Sequence, residues 1–170
     1  MSAKPRVILG ALVVAFACGN SLGVAAPLEA LQPMAFLAGH CWKGEFSDGK
    51  RTDEHCFAWM LDGRALRDTH VVRAPGQADG AGETIYFVNP GTHRVEYLYV
   101  ENQGGFSRGA VEMLPEALLF PDTQYVADGE SLTYRARWTP KGPDAYEAWS
   151  EAQTRDGWST MFKLQMKRTD

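Results

Sequence analysis

Three residues, His55, Asp68 and His70, carry the side chains of this sequence best suited to chemistry. An imidazole titrates near neutral pH and can bind a metal ion, and a carboxylate can orient an imidazole through its second nitrogen. The same groups can instead form a hydrogen-bonded network that only fixes how strands pair inside a barrel. Their spacing matches no zinc-binding motif. The sequence therefore leaves a metal site, a general base and a structural network as open interpretations.

A predicted β-hairpin decides where these side chains point. Asp48-Gly49 suits a two-residue type I′ turn, which pairs positions whose numbers sum to 97 and sets Cys41 opposite Cys56. Directly opposed strand residues lie within the Cα separation that a disulfide tolerates. The sequence therefore predicts a Cys41–Cys56 disulfide, an oxidising compartment and a fixed strand register; two separate buried thiols are the alternative.

Strand periodicity then assigns faces, because successive side chains alternate between the two sides of a sheet. With both cysteines outside, the two strands of this hairpin direct seven residues inward: His40, Trp42, Gly44, Phe46, His55, Phe57 and Trp59. A second two-residue turn at Asp62-Gly63 sets His70 opposite His55 and adds Leu66, Asp68 and Val72 to the interior. We therefore expect three histidines and one carboxylate inside, unless a bulge in the second hairpin reverses the faces.

The N-terminal segment 1–26 is predicted to be a signal peptide. Lys4 and Arg6 precede an apolar run that is too short to span a membrane, and small residues lead to cleavage before Pro27. Acylation at Cys18, as in a lipoprotein, is the alternative. Cleavage removes two cations and no acid, so the net charge moves from −4 to −6. An acidic chain without basic clusters argues against nucleic acid or anionic lipid as partners.

The remainder, 27–170, is predicted to be one all-β domain preceded by a short N-terminal helix. Short alternating runs are separated by turn dipeptides, which favours an antiparallel up-and-down β-barrel of about 8–10 strands, lipocalin-like, over a sandwich. In the last strand, Trp158 and Thr160 share a face with Phe162. The predicted strands cover about 39–47, 50–61, 64–74, 82–89, 93–101, 105–114, 116–121, 131–139, 144–153 and 157–167.

Other polar residues give weaker signals. Tyr97 and Tyr99 share a face, and Arg108 is either a buried cation that needs an anion or an exposed residue beside a glycine turn. Asp53-Glu54 is interpreted as a pair of solvated charges at the edge of a strand.

Several segments also resemble known families. Phe36-Leu37-Ala38-Gly39-His40-Cys41-Trp42 resembles the first-strand signature of the calycin superfamily, and Lys167-Arg168 is similarly placed to the basic residue that packs over that tryptophan. The chain also resembles exported bacterial lipocalin-like proteins of unknown function. The segments that carry this resemblance are Thr52-Asp53-Glu54-His55-Cys56-Phe57 and residues 42–50, 66–72, 82–86 and 104–109. The resemblance covers 36–168 and implies a barrel that holds a small hydrophobic ligand.

The leading functional hypothesis is a periplasmic or secreted barrel that binds a small apolar or amphipathic molecule. We expect no cofactor, no metal and no membrane span after processing, and the oligomeric state is not set by the sequence. The alternatives are an enzyme (isomerase, cyclase or hydrolase) that uses the His/Asp cluster, and an envelope protein that acts through its surface. The candidate ligand-binding residues are Trp42, His55, Phe57, Trp59, Asp68, His70, Tyr86, Tyr97, Arg108, Tyr134 and Trp138.

Overall fold

The protein is a closed antiparallel β-barrel, as the sequence predicts. A computed structural model describes residues 27–170; the predicted signal peptide and Cys18 lie outside this range. Ten strands form the barrel, which closes where β6 pairs with β8, and β7 is an additional strand on β8. The strands are β1 Cys41–Glu45, β2 Thr52–Met60, β3 Ala65–Arg73, β4 Gly80–Val88, β5 Val95–Glu101, β6 Phe106–Ala110, β7 Glu112–Leu114, β8 Ala117–Ala127, β9 Glu130–Pro140, β10 Ala145–Thr154 and β11 Gly157–Arg168.

The first hairpin has the predicted register but a different turn. Cys41 pairs with Cys56 and the two form a disulfide. Of the two predicted turn residues, only Gly49 has a positive φ, so the turn is not type I′. Instead, the Gly49 amide donates to the Phe46 carbonyl, and Asp48 accepts hydrogen bonds from the Lys50 and Arg51 amides. A four-residue loop closed by an aspartate side chain therefore gives the same register.

The second hairpin also has the predicted register, with His55 opposite His70. Leu61, Asp62 and Gly63 all have positive φ, and the Arg64 amide donates to the carbonyls of Met60 and Leu61. Asp62 and Gly63 therefore have the positive φ angles of a type I′ turn, and Leu61 before them is left-handed as well. No bulge interrupts the pairing of β2 with β3, so the inward faces of the two strands stay in phase.

The N-terminal segment closes one end of the barrel. It forms a 3₁₀ helix over Glu29–Met34, not α-helical turns, and Pro33 lies inside it. Its Leu31 and Met34 are fully buried, and the Trp42 indole N–H donates to the Leu37 carbonyl. Within residues 27–170, no helix is both long enough and apolar enough to cross a membrane.

Irregular pairings change three of the predicted elements. The predicted strand 105–114 is divided at Val111 into β6 and β7, and the predicted strand 116–121 continues to Ala127 as part of β8. A register shift between β10 and β11 reverses the expected face of Trp158 and Thr160. Both lie outside the barrel: the Arg135 guanidinium covers the Trp158 ring, and Thr160 accepts a hydrogen bond from the Trp149 indole.

Candidate functional site

A cavity of about 560 Å³ occupies the barrel interior on the side away from the 3₁₀ helix. Its deep wall is largely aromatic and apolar, whereas its outer part includes residues from the β1–β2, β3–β4 and β5–β6 connections. Ligand sites of roughly 300–1,000 Å³ are typical of proteins that bind small organic molecules. The deep wall comprises Tyr86, Tyr97, Phe120, Trp138, Leu164 and Met166.

Charged and polar side chains line one side of this cavity. His55 lies between two carboxylates, with Nδ1 2.8 Å from Asp68 Oδ2 and Nε2 3.2 Å from Asp53 Oδ2. The other Asp53 oxygen lies 3.2 Å from His70 Nδ1, and His70 Nε2 lies 3.0 Å from the Tyr99 hydroxyl. These five residues form a continuous network, which we call the His/Asp cluster.

Strand alternation explains why the cluster forms. Asp53 and His55 are two residues apart on β2, and Asp68 and His70 are two residues apart on β3, so all four side chains point to the same face. Their neighbour on β4 is Gly82, where a Cβ would lie 2.5 Å from His70 Nε2. A side chain at this position would therefore displace His70 or Tyr99, so the glycine makes room for the network.

Burial and charge act against each other in the cluster. Burial would raise the pKa of Asp53, but the positive charge on His55 and hydrogen bonds from both histidines hold it well below its usual value. Burial would lower the pKa of His55, but attraction to Asp68 and Asp53 outweighs this and raises it to about 10. His55 is therefore an imidazolium at neutral pH and donates to both carboxylates.

A second polar network lies across the cavity. The Tyr134 hydroxyl is 2.9 Å from that of Tyr97 and 3.0 Å from the Ser107 hydroxyl, which donates to the Gln124 carbonyl. Burial, reinforced by Tyr97, raises the pKa of Tyr134, so its hydroxyl remains neutral at physiological pH. Ser107 is thus a buried hydrogen-bonding residue in this network.

The structure places seven of the eleven candidate ligand-binding residues on the cavity wall: His55, Asp68, His70, Tyr86, Tyr97, Tyr134 and Trp138. Trp42 and Phe57 are buried in the core at or near the closed end, and Trp59 packs against that core without lining the cavity. Arg108 lies outside, where it is largely exposed and forms an ion pair with Glu96.

Two other expectations near the closed end are wrong. His40 is partly exposed and bonds to Asp170, so two histidines share the interior, not three. Arg168 is opposite Trp42 in the β1–β11 register, but its guanidinium pairs with Asp144. Within the described part of the chain, the cation–π contacts involve Arg51 and Arg135 and not Arg168.

Asp53 is a functional residue that the sequence pattern did not identify, because an acidic pair at a strand edge is typically solvated. Asp53 is only 6% exposed and connects both cluster histidines. The alternation that placed His55 and Phe57 inside also places Asp53 inside, so the signal was present. Tyr99 likewise follows from the face that it shares with Tyr97.

The fold and the cavity define the class of this protein. It is an all-antiparallel β-barrel that is compatible with ligand binding, as lipocalin-like barrels are. No model of a protein family matches the chain, and no curated protein matches it either.

Proposed function

We propose that this protein is an exported lipocalin-like barrel that binds a small amphipathic molecule in its cavity. The observation that carries the proposal is the cavity of about 560 Å³, which remains within a barrel whose other end is filled by buried side chains. An apolar part of the ligand would contact the aromatic deep wall, where burial of hydrocarbon is favourable by about 25 cal/mol per Å².

The polar part of the ligand would contact the His/Asp cluster. The cavity wall contains three carboxylates, Asp53, Asp68 and Glu101, and the His55 imidazolium already bonds to the first two. Arg51, in the β1–β2 connection, also lines the cavity, but its guanidinium pairs with Asp48. A ligand carboxylate would meet net repulsion, whereas a hydroxyl or an ammonium group can donate a hydrogen bond to these oxygens. We therefore infer that the head group is neutral or cationic.

The cluster supports binding better than catalysis. A general base needs an imidazole nitrogen that is free to accept a proton from the substrate. Within residues 27–170, each ring nitrogen of His55 and His70 already has a hydrogen-bonding partner. The histidines are therefore arranged to hold the carboxylates in position.

Three probes that share a twelve-carbon chain test this proposal: dodecanol, dodecylamine and dodecanoate. Displacement of a fluorescent apolar dye from the purified protein would report binding. We expect the alcohol and the amine to compete at least tenfold better than the carboxylate, because only the carboxylate faces repulsion from Asp53 and Asp68.

A cavity-blocking variant locates the binding. Ala136→Phe places a ring in the cavity wall and should abolish dye binding, while Ser131→Phe, on the exposed face of the same strand, should leave it unchanged. Leu132→Trp, nearer the open end, provides a second blocking variant if Ala136→Phe does not fold. Absence of saturable binding by the unmodified protein, or equal binding by a folded blocking variant, would refute the proposal.

A further inference from the structure

We propose that Asp53, His55 and His70 form a binding site for a divalent first-row transition metal ion such as Zn²⁺. One ligand atom from each residue lies within 4.8 Å of the others. Two imidazoles and one carboxylate form a donor set typical of zinc and of non-haem iron. This inference does not depend on the organic ligand proposed above.

The distances in the cluster suit a single ion. Each oxygen of Asp53 faces one histidine nitrogen at 3.2 Å. Ligands at 2.0–2.1 Å from a tetrahedral ion are roughly 3.3 Å apart, so these atoms need only small movements to share one. β2 provides Asp53 and His55, and the paired strand β3 provides His70, so all three lie on a rigid hairpin.

The second ring nitrogen of each histidine, which faces away from Asp53, also has a suitable partner. His55 Nδ1 bonds to Asp68, and His70 Nε2 bonds to the Tyr99 hydroxyl. Histidines that bind metals usually bond through their second nitrogen to a carboxylate or another polar group, which fixes the ring and its tautomer. Asp68 and Tyr99 would therefore be positioning residues for the site.

The charge of the cluster favours a divalent cation. Asp53 and Asp68 are 6% and 1% exposed, and among the described residues neither forms an ion pair with a lysine or arginine. On binding, the metal would replace the Nε2 proton of His55, which is released to solvent. The Nδ1 proton of His70 would be exchanged for one on Nε2, which then donates to Tyr99.

The site would remain open on one side. Asp53, His55 and His70 all line the cavity, so an ion bound to them would have at least one coordination position facing the cavity. Three protein ligands with an open fourth position distinguish such a site from a closed structural zinc site.

Titration of the disulfide-bonded protein with Zn²⁺ after removal of metals by chelation tests the proposal. Isothermal calorimetry should show one ion per chain with a Kd below about 1 μM, and Co²⁺ should give the visible absorption of a low-symmetry site. We expect Asp53→Asn to weaken Zn²⁺ binding at least 100-fold and Asp68→Asn to weaken it about 10- to 100-fold. His40→Gln and His93→Gln, at a partly exposed and an exposed histidine that do not line the cavity, are the matched controls and should bind as the unmodified protein does.

Imidazole ¹⁵N spectra of the unmodified protein keep the test independent of whether a variant folds. Zn²⁺ should shift Nε2 of His55 and Nδ1 of His70, and leave His40 and His93 unchanged. The proposal is overturned if no stoichiometric binding occurs, if the shifts appear only at His40 or His93, or if folded Asp53→Asn binds Zn²⁺ with undiminished affinity. Dye displacement in the presence of chelator tests the organic ligand separately.

Discussion

Removal of the Cys41–Cys56 disulfide should destabilise the protein by about 3 kcal/mol without changing its cavity. The two cysteines are 15 residues apart in sequence. In the chain-entropy model, a disulfide that closes a loop of this length stabilises the fold by about 3 kcal/mol, because it restricts the unfolded chain. Both residues are only partly buried, so Cys41→Ala/Cys56→Ala should leave no large cavity in the core.

The expected change is measurable by thermal and urea unfolding. A domain of about 144 residues has an unfolding entropy of about 0.3 kcal/mol per kelvin, so 3 kcal/mol corresponds to a decrease in Tm of roughly 10 °C. Reduction of the unmodified protein should give the same decrease. Because the turn and the apolar pattern also set the register, dye binding at low temperature should be unchanged.

Two results would refute this reasoning. A destabilisation below about 1 kcal/mol would show that the hairpin does not gain its stability from restriction of the unfolded chain. Loss of the cavity in the folded double variant would show that the disulfide, and not the turn and the side-chain pattern, sets the register of β1 and β2.

Two further predictions concern the cluster. Gly82→Ala should destabilise the protein by about 1–3 kcal/mol, because the new Cβ would lie 2.5 Å from His70 Nε2 and 2.6 Å from Tyr99 Cε2. The control is Gly80→Ala, on the same face of the strand, where the nearest atom to a new Cβ is 3.7 Å away. In urea unfolding, this control should lower the free energy of unfolding much less. The metal-free protein should lose stability as the pH rises from about 6.5 towards 10. The folded state raises the pKa of His55 to about 10, so the proton that stabilises the fold is lost over this range. A urea midpoint that stays constant over this range, or an equal decrease in His55→Gln, would contradict the prediction.

The barrel could be predicted because its determinants are local. The alternation of Tyr134, Ala136 and Trp138 requires one buried face, and short turns keep consecutive strands adjacent. In the first hairpin, the predicted turn type was wrong but the predicted register was correct. The register is the same because a two-residue loop and the observed four-residue loop both pair Cys41 with Cys56.

The predicted strands and side-chain faces were wrong where one residue interrupts the inward–outward alternation of side chains along a strand. The shift between β10 and β11 turns Trp158 outward, and Val111 separates β6 from β7. A bulge depends on how twist is relieved across several strands, and nothing in the local sequence marks it. Arg108 was ambiguous for a related reason, since its partner Glu96 belongs to a different strand.

The sequence by itself determined the disulfide register and the inward direction of His55, Asp68 and His70, because alternation and turn length act between neighbours in the chain. Only the tertiary structure decided that Asp53 bridges both histidines, that Tyr99 bonds to the second, and that a cavity remains beside them. These features depend on closure of the barrel, which sets the distance between side chains from non-adjacent strands and the volume that they leave unfilled.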